Sequence, residues 1–134
     1  MYYLYFDGAS RGNPGIASFG GVIYKHTDDS KEEWLTYNHK FPEKATNNEA
    51  EYSGLYYGLL IAVEKELKHL LVYGDSLLVI NQIKGIWKIK SAHLKPIYTN
   101  IRRLLQYFDV IEFHHVKRKF NGRADALANE AIDG

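Results

Sequence analysis

The 134 residues include no cysteine, which excludes disulfides, a thiolate metal site and a cysteine nucleophile. A reducing compartment is compatible with that absence. No apolar run approaches the roughly 18–20 residues needed to span a membrane, and Met1 leads straight into a strand-like segment without a basic leader region. The expectation is a cytoplasmic, monomeric protein with no membrane partner. Several familiar constellations are also missing: there is no GxxxxGK[ST] loop, no HExxH and no GxSxG. Ser10, Ser18 and the six histidines form no triad pattern. His114 and His115 are adjacent on a predicted strand and point to opposite faces, so they are poorly placed to share one metal.

Acidic residues are absent from Ser76 to Phe108, where Lys84, Lys88, Lys90, Lys95, Arg102 and Arg103 all fall. A second basic run comprises Lys117, Arg118, Lys119 and Arg123. The net charge of +1 hides this asymmetry. A basic run is commonly a solvated face, but sign asymmetry within a small domain also suits a polyanionic partner.

At 46% hydrophobic and 25% charged, the composition is globular, and the length predicts a single domain over 1–134. No repeat, linker or low-complexity tract interrupts it. Tyr2 to Phe6 reads as a strand ending at Asp7-Gly8, followed by a loop over Arg11 to Gly15. Ser18 to Lys25 and Glu33 to Phe41 are the next strands, joined by a turn at His26 to Lys31; together the three predict an antiparallel meander. Thr46 or Asn47 caps a helix reaching about Lys68, with Leu55, Leu59, Ala62, Val63 and Leu67 at helical spacing. Alternation follows: a strand at Leu70 to Tyr73, a helix at Ser76 to Ile83, and a turn at Gly85 to Lys90 that exposes Trp87. A helix at His93 to Phe108, a strand at Val110 to Val116 and a helix at Ala124 to Ile132 complete the chain. The order βββαβααβα predicts an α/β fold, a mixed sheet of three antiparallel strands then two parallel, with helices on its faces.

Four carboxylates fall at junctions of these elements. Asp7 ends the first strand, and Asp75 follows the fourth. Glu51 lies early on the long helix, on the inward stripe with Leu55 and Ala62, while Asp125 opens the last helix. Each has an ordinary reading: turn residue, surface ion pair or helix-start acid favoured by the dipole. Jointly they predict convergence at one edge of the sheet, where ligands of open α/β sheets bind. Packed carboxylates resist ionising unless cations meet them, and oxygen-only ligation suits Mg²⁺ or Mn²⁺.

Four segments carry a family resemblance: "YFDGASRGNPG", "TNNEAEYSGL", "VYGDSLLVINQI" and "NGRADALANEA". In this order, each on the expected type of element, they resemble a type 1 ribonuclease H over nearly the whole chain. The resemblance implies the ribonuclease H-like fold, with a five-stranded mixed sheet flanked by helices. It implies an endonuclease that hydrolyses the RNA strand of RNA–DNA hybrids with two Mg²⁺ ions, Mn²⁺ substituting, and leaves 5′-phosphate products. Asp7, Glu51, Asp75 and Asp125 are similar to the family's metal-binding catalytic carboxylates; the spacing from the asparagine pair selects Glu51 over Glu49. Asn13, Asn47 and Asn48 match residues that read the hybrid minor groove, and Thr46 a residue that seats a DNA-strand phosphate.

The chain departs from the family in two ways. Leu77 stands where members often carry a Gln, and the stretch before Asp125 lacks the loop His of better-known members, with Arg118 the candidate in its place. The inserted basic handle of some members is missing, so Trp87, Lys88 and Lys90 in the short turn are the candidate hybrid contacts. Two rival readings are another nuclease on the same fold, such as an integrase-like or junction-cutting enzyme, and a hybrid-binding module without catalysis.

Overall fold

A computed structural model describes residues 1–134. Its sheet has the order β3-β2-β1-β4-β5, formed by β1 (Tyr2–Gly12), β2 (Gly15–His26), β3 (Lys31–Lys40), β4 (His69–Gly74) and β5 (Val110–His115). The meander β1–β2–β3 is antiparallel, and β4 and β5 run parallel to β1. The four α-helices are α1 (Asn47–Glu64), α2 (Leu77–Ile83), α3 (Lys95–Leu105) and α4 (Gly122–Asp133), with a short 3₁₀ turn at Arg118–Phe120. The expected mixed sheet of three antiparallel and two parallel strands is therefore present. No helix is long and apolar enough to cross a membrane.

Strand alternation assigns the two faces. Leu4, Phe6 and Ile23 point toward α1 and are fully buried with Tyr52, Leu55, Leu59 and Ala62. Leu70 and Val72 on β4 join the same core, which Val79, Ile80, Ile83 and Ile101 extend through α2 and α3. The opposite face is covered in part by α4, which sits so close to β2 that a Cβ at Gly20 would lie 2.6 Å from the Ala128 nitrogen. Side chains of the sheet reach into the backbone of α4. Ser18 donates to the Ala128 carbonyl, and Asn38 Nδ2 donates to that of Leu127 at 2.8 Å.

Several boundaries differ from the sequence expectation. β1 does not stop at Asp7-Gly8; its pairing with β2 runs on to Gly12↔Gly15, leaving only Asn13 and Pro14 as the turn. Gly8 continues the strand because it faces α1, with room for no side chain there: a Cβ would meet the Glu51 nitrogen at 2.4 Å. α1 ends at Glu64 rather than Lys68, since Glu66 turns to a positive φ of 59° and brings Leu67 back onto the core. α3 begins at Lys95 rather than His93, where Pro96 suits the first turn. α4 begins at Gly122 rather than Ala124, so Asp125 lies within its first turn and not at its first residue.

Candidate active site

The parallel ladder between β1 and β4 ends at Phe6↔Gly74. Asp7 and Asp75 are thus each the first residue past the last rung, side by side at the carboxyl ends of two adjacent parallel strands. β1 stays paired with β2 beyond this point, whereas the chain after β4 leaves the sheet for Ser76, whose hydroxyl caps α2 by accepting from Val79 N at 3.2 Å. The gap so opened is the floor of the cleft.

Glu51 reaches that gap from α1. Thr46 caps this helix: its hydroxyl accepts from Glu49 N at 3.1 Å, and the Glu49 carboxylate accepts from Thr46 N at 3.0 Å. This reciprocal box engages Glu49 and leaves Glu51, two residues on, facing the sheet. Oxygens of Asp7, Glu51 and Asp75 all lie within 4.8 Å of one another. Asp125 lines the same cleft from α4 but stands outside that tight group, with a side chain about one third exposed and 3.8 Å from an Arg118 nitrogen.

Charge is concentrated here with little solvent. Asp7 and Glu51 are each only 4% exposed. Burial pushes the Asp7 carboxyl up to about 7, with the Asp75 charge adding to the rise and the Gly8 N–H at 2.9 Å opposing it. Burial, reinforced by the Asp7 charge, raises Glu51 well above the usual carboxylate range. Glu51 Oε2 is buried without a hydrogen-bond partner. A native carboxylate oxygen in that state calls for an ion or an ordered water. The clustered ligand atoms are all carboxylate oxygens, the ligation of a hard divalent cation; the residues present fit such an ion.

The cleft measures about 420 Å³ and is lined almost wholly by polar groups, including Ser10, Arg11, Asn47, Arg118 and Asn129 beside the four acids. Of the asparagines singled out in the sequence, Asn47 is in the wall. Asn13 holds the rim by accepting from Asn47 N at 3.0 Å, and Asn48 is exposed on the first turn of α1 without lining the cleft. The Thr46 hydroxyl is engaged by its helix cap.

Trp87 and Lys88 are not in the acidic cleft. They line a separate open groove of about 500 Å³ with Lys95 and Tyr98, and Lys90 is exposed beside it without lining either. Arg102 is held against α2 and α3, donating to the Ile83 carbonyl at 2.7 Å and to the Tyr98 hydroxyl at 2.8 Å, with its charge left unpaired.

Sequence reading missed Ser10, Arg11, Asn121 and Asn129. Asn129 was legible as the residue one turn after Asp125, and Arg11 as the i+4 partner of Asp7 had β1 been extended. Asn121 is buried and donates to Phe6 O at 2.8 Å, a contact across 115 residues with no local signal.

Comparison with known proteins gives consistent matches. A family model described as reverse transcriptase-like matches residues 5–131. Ribonuclease HI of Halobacterium salinarum is 40% identical over 131 residues, which is 98% of this chain and 64% of that protein. The chain thus spans less than two thirds of that relative's length. Ribonuclease H of Clostridium botulinum is 31% identical, with 97% of this chain and 94% of that protein covered. Among solved structures, RNase H1 of Halobacterium salinarum superposes with a TM-score of 0.90 at 40% identity, covering 98% of this chain and 97% of that one. LC11-RNase H1 in complex with an RNA/DNA hybrid does so at 0.88 and 31%, covering 99% and 97%.

Proposed function

The chain belongs to the ribonuclease H-like family, and from that premise we propose that it is a metal-dependent endonuclease cutting the RNA strand of RNA–DNA hybrids. The observation that carries this reading is the convergence of Asp7, Glu51 and Asp75 oxygens within 4.8 Å at the ends of two parallel strands. Its support from outside the chain is the relatives named ribonuclease H, one of them solved on an RNA/DNA hybrid.

In this reading Asp7, Glu51, Asp75 and Asp125 hold two Mg²⁺ ions, with Mn²⁺ a substitute. When bound, such ions lower the pKa of an attacking water and stabilise the charge on the departing oxygen of a phosphodiester. The protein's own part is placement. The sheet ends fix Asp7 and Asp75, and the Thr46 cap fixes the rotation of Glu51. Arg118, a permanent cation at the mouth of the cleft, is a poor general base and acts by holding the scissile phosphate or its developing charge.

Asn13, Asn47 and Asn48, at the start of α1 and the turn it touches, face the hybrid's minor groove. There the 2′-hydroxyls of an A-like duplex distinguish RNA from DNA. Trp87, Lys88 and Lys90 lie outside the cleft and take the duplex backbone instead. The exposed Leu77 beside Asp75 offers no hydrogen bond to that groove.

A panel of RNA–DNA, RNA–RNA and DNA–DNA duplexes, incubated with Mg²⁺, Mn²⁺ or chelator, tests the reading. Metal-dependent cutting of the hybrid is expected. Efficient cutting of plain DNA would favour a different nuclease on this fold, and binding without cutting would favour a non-catalytic hybrid-binding module.

A further inference from the structure

Only two cationic side chains line the acidic cleft, Arg118 and Arg11. Arg11 is on β1 four residues beyond Asp7, on the same face of the strand and roughly 13 Å along it. Its guanidinium is engaged by a carboxylate outside the cleft: Nη1 and Nη2 donate to the two Asp133 oxygens at 2.5 and 2.9 Å. Asp133 is the last residue of α4.

The simple account of this pair is a clasp fastening the end of α4 to the sheet. Two observations argue that a clasp is not its main use. α4 is already held by the Ser18 and Asn38 contacts to its backbone. The Arg11 and Asp133 side chains are also 47% and 60% exposed, so their pairing is solvated and contributes little to stability. A fork that fits a carboxylate with two parallel N–H···O bonds fits a phosphate with the same geometry.

We propose that Arg11 is a ligand for a substrate backbone phosphate, pre-aimed at the cleft rim by Asp133, whose carboxylate occupies the fork until a nucleic acid displaces it. Arg11 is then a binding residue, and Asp133 is an internal competitor. The inference rests on the hybrid-cleaving reading above.

Two opposed substitutions separate a phosphate ligand from a clasp. A clasp predicts that Arg11→Ala and Asp133→Asn both lower the Tm slightly and shift hybrid affinity only by the salt-screened effect of the lost charge, with Arg11→Lys binding like the unmodified protein. A displaceable ligand predicts larger opposite shifts, with Arg11→Lys impaired although its charge is kept. Binding to a short RNA–DNA hybrid in Mg²⁺ is measured on an Asp75→Asn background, with kcat and KM taken on the otherwise unmodified protein. Arg11→Ala should raise Kd and KM about three- to tenfold with kcat nearly unchanged, and lower the salt slope of binding by about one unit. Arg11→Lys, which keeps the charge and loses the fork, should fall between. Asp133→Asn should lower Kd about two- to threefold by freeing the fork. Changes of the same sign in both variants, no change in Arg11→Ala, or Arg11→Lys binding like the unmodified protein would overturn the proposal while hybrid cleavage by the unmodified protein left the functional reading standing. An unmodified protein that neither binds nor cuts the hybrid would overturn both.

Discussion

Asn121 donates its side-chain amide to the carbonyl of Phe6 at 2.8 Å, so the turn leading into α4 is fastened to the residue immediately before Asp7. The Asn121 main-chain carbonyl in turn accepts from Asp125 N at 3.1 Å. One buried side chain therefore ties the strand bearing Asp7 to the helix bearing Asp125. Asn121→Ala leaves the Phe6 carbonyl without this partner, which costs about 1–3 kcal/mol. We expect a lower denaturation midpoint and a slower cleavage step under saturating hybrid, read by single-turnover kinetics. Unchanged stability would show that water replaces the amide.

The acid cluster predicts an unusual response to pH. In chelator-treated protein Asp7 titrates at about 7 when folded against an ordinary value of 3.8. The folded state then binds more protons than the unfolded one across that window. Stability from this group is complete below about pH 4 and is lost as pH rises toward 7; Glu51, also raised, acts in the same direction. The metal-free Tm should fall between pH 5 and pH 8, and added Mg²⁺ should raise it more at pH 8 than at pH 5. A metal-free Tm that climbs over the same range would contradict the burial of these acids.

Gly8 sets how closely β1 and α1 approach, and hence the spacing of Asp7 and Glu51. A methyl group there would overlap the Glu51 backbone nitrogen and lie 2.5 Å from the Ala50 carbonyl carbon. Both obstacles are backbone, so α1 must move. Gly8→Ala should destabilise by about 1–3 kcal/mol and weaken Mg²⁺ binding, followed by calorimetric titration. Wild-type metal affinity in a folded Gly8→Ala protein would show that the spacing is not critical.

Arg118 and the lysines beside Trp87 should separate by kinetics. Arg118→Ala is expected to lower kcat more than hybrid affinity, with Arg118→Lys rescuing part. Lys88→Ala or Lys90→Ala should weaken binding to most duplexes alike and reduce the salt slope by about one unit. A loss confined to affinity in Arg118→Ala would place that residue with the backbone contacts.

Much of this arrangement was legible in the sequence because its determinants are local or periodic. The inward stripe of α1, a cap at Thr46 or Asn47 and the apolar start of the first strand are short-range patterns, and they bring Glu51 and Asp7 to the same end of the sheet. The length of β1 was not legible: Gly8 and Gly12 carry the local signature of termination, and only pairing with β2 and the tight fit of α1 show that the strand continues. The place of Arg102 was not legible either, since it caps α2 through a carbonyl 19 residues away. Asn121 and Arg11 take their roles from partners more than 110 residues distant, which no window of sequence contains.

The central claim is that clustered carboxylates cut the RNA strand alone, and strand-specific cleavage tests it most directly. A hybrid carrying separate end labels on its RNA and DNA strands is incubated in Mg²⁺ with the unmodified protein, Asp7→Asn and Asp75→Asn. The account predicts RNA fragments ending in 5′-phosphate, an intact DNA strand, and no fragments from either variant although both remain folded and at least as stable without metal. Undiminished cleavage by either folded variant, or fragments from the DNA strand, would contradict it.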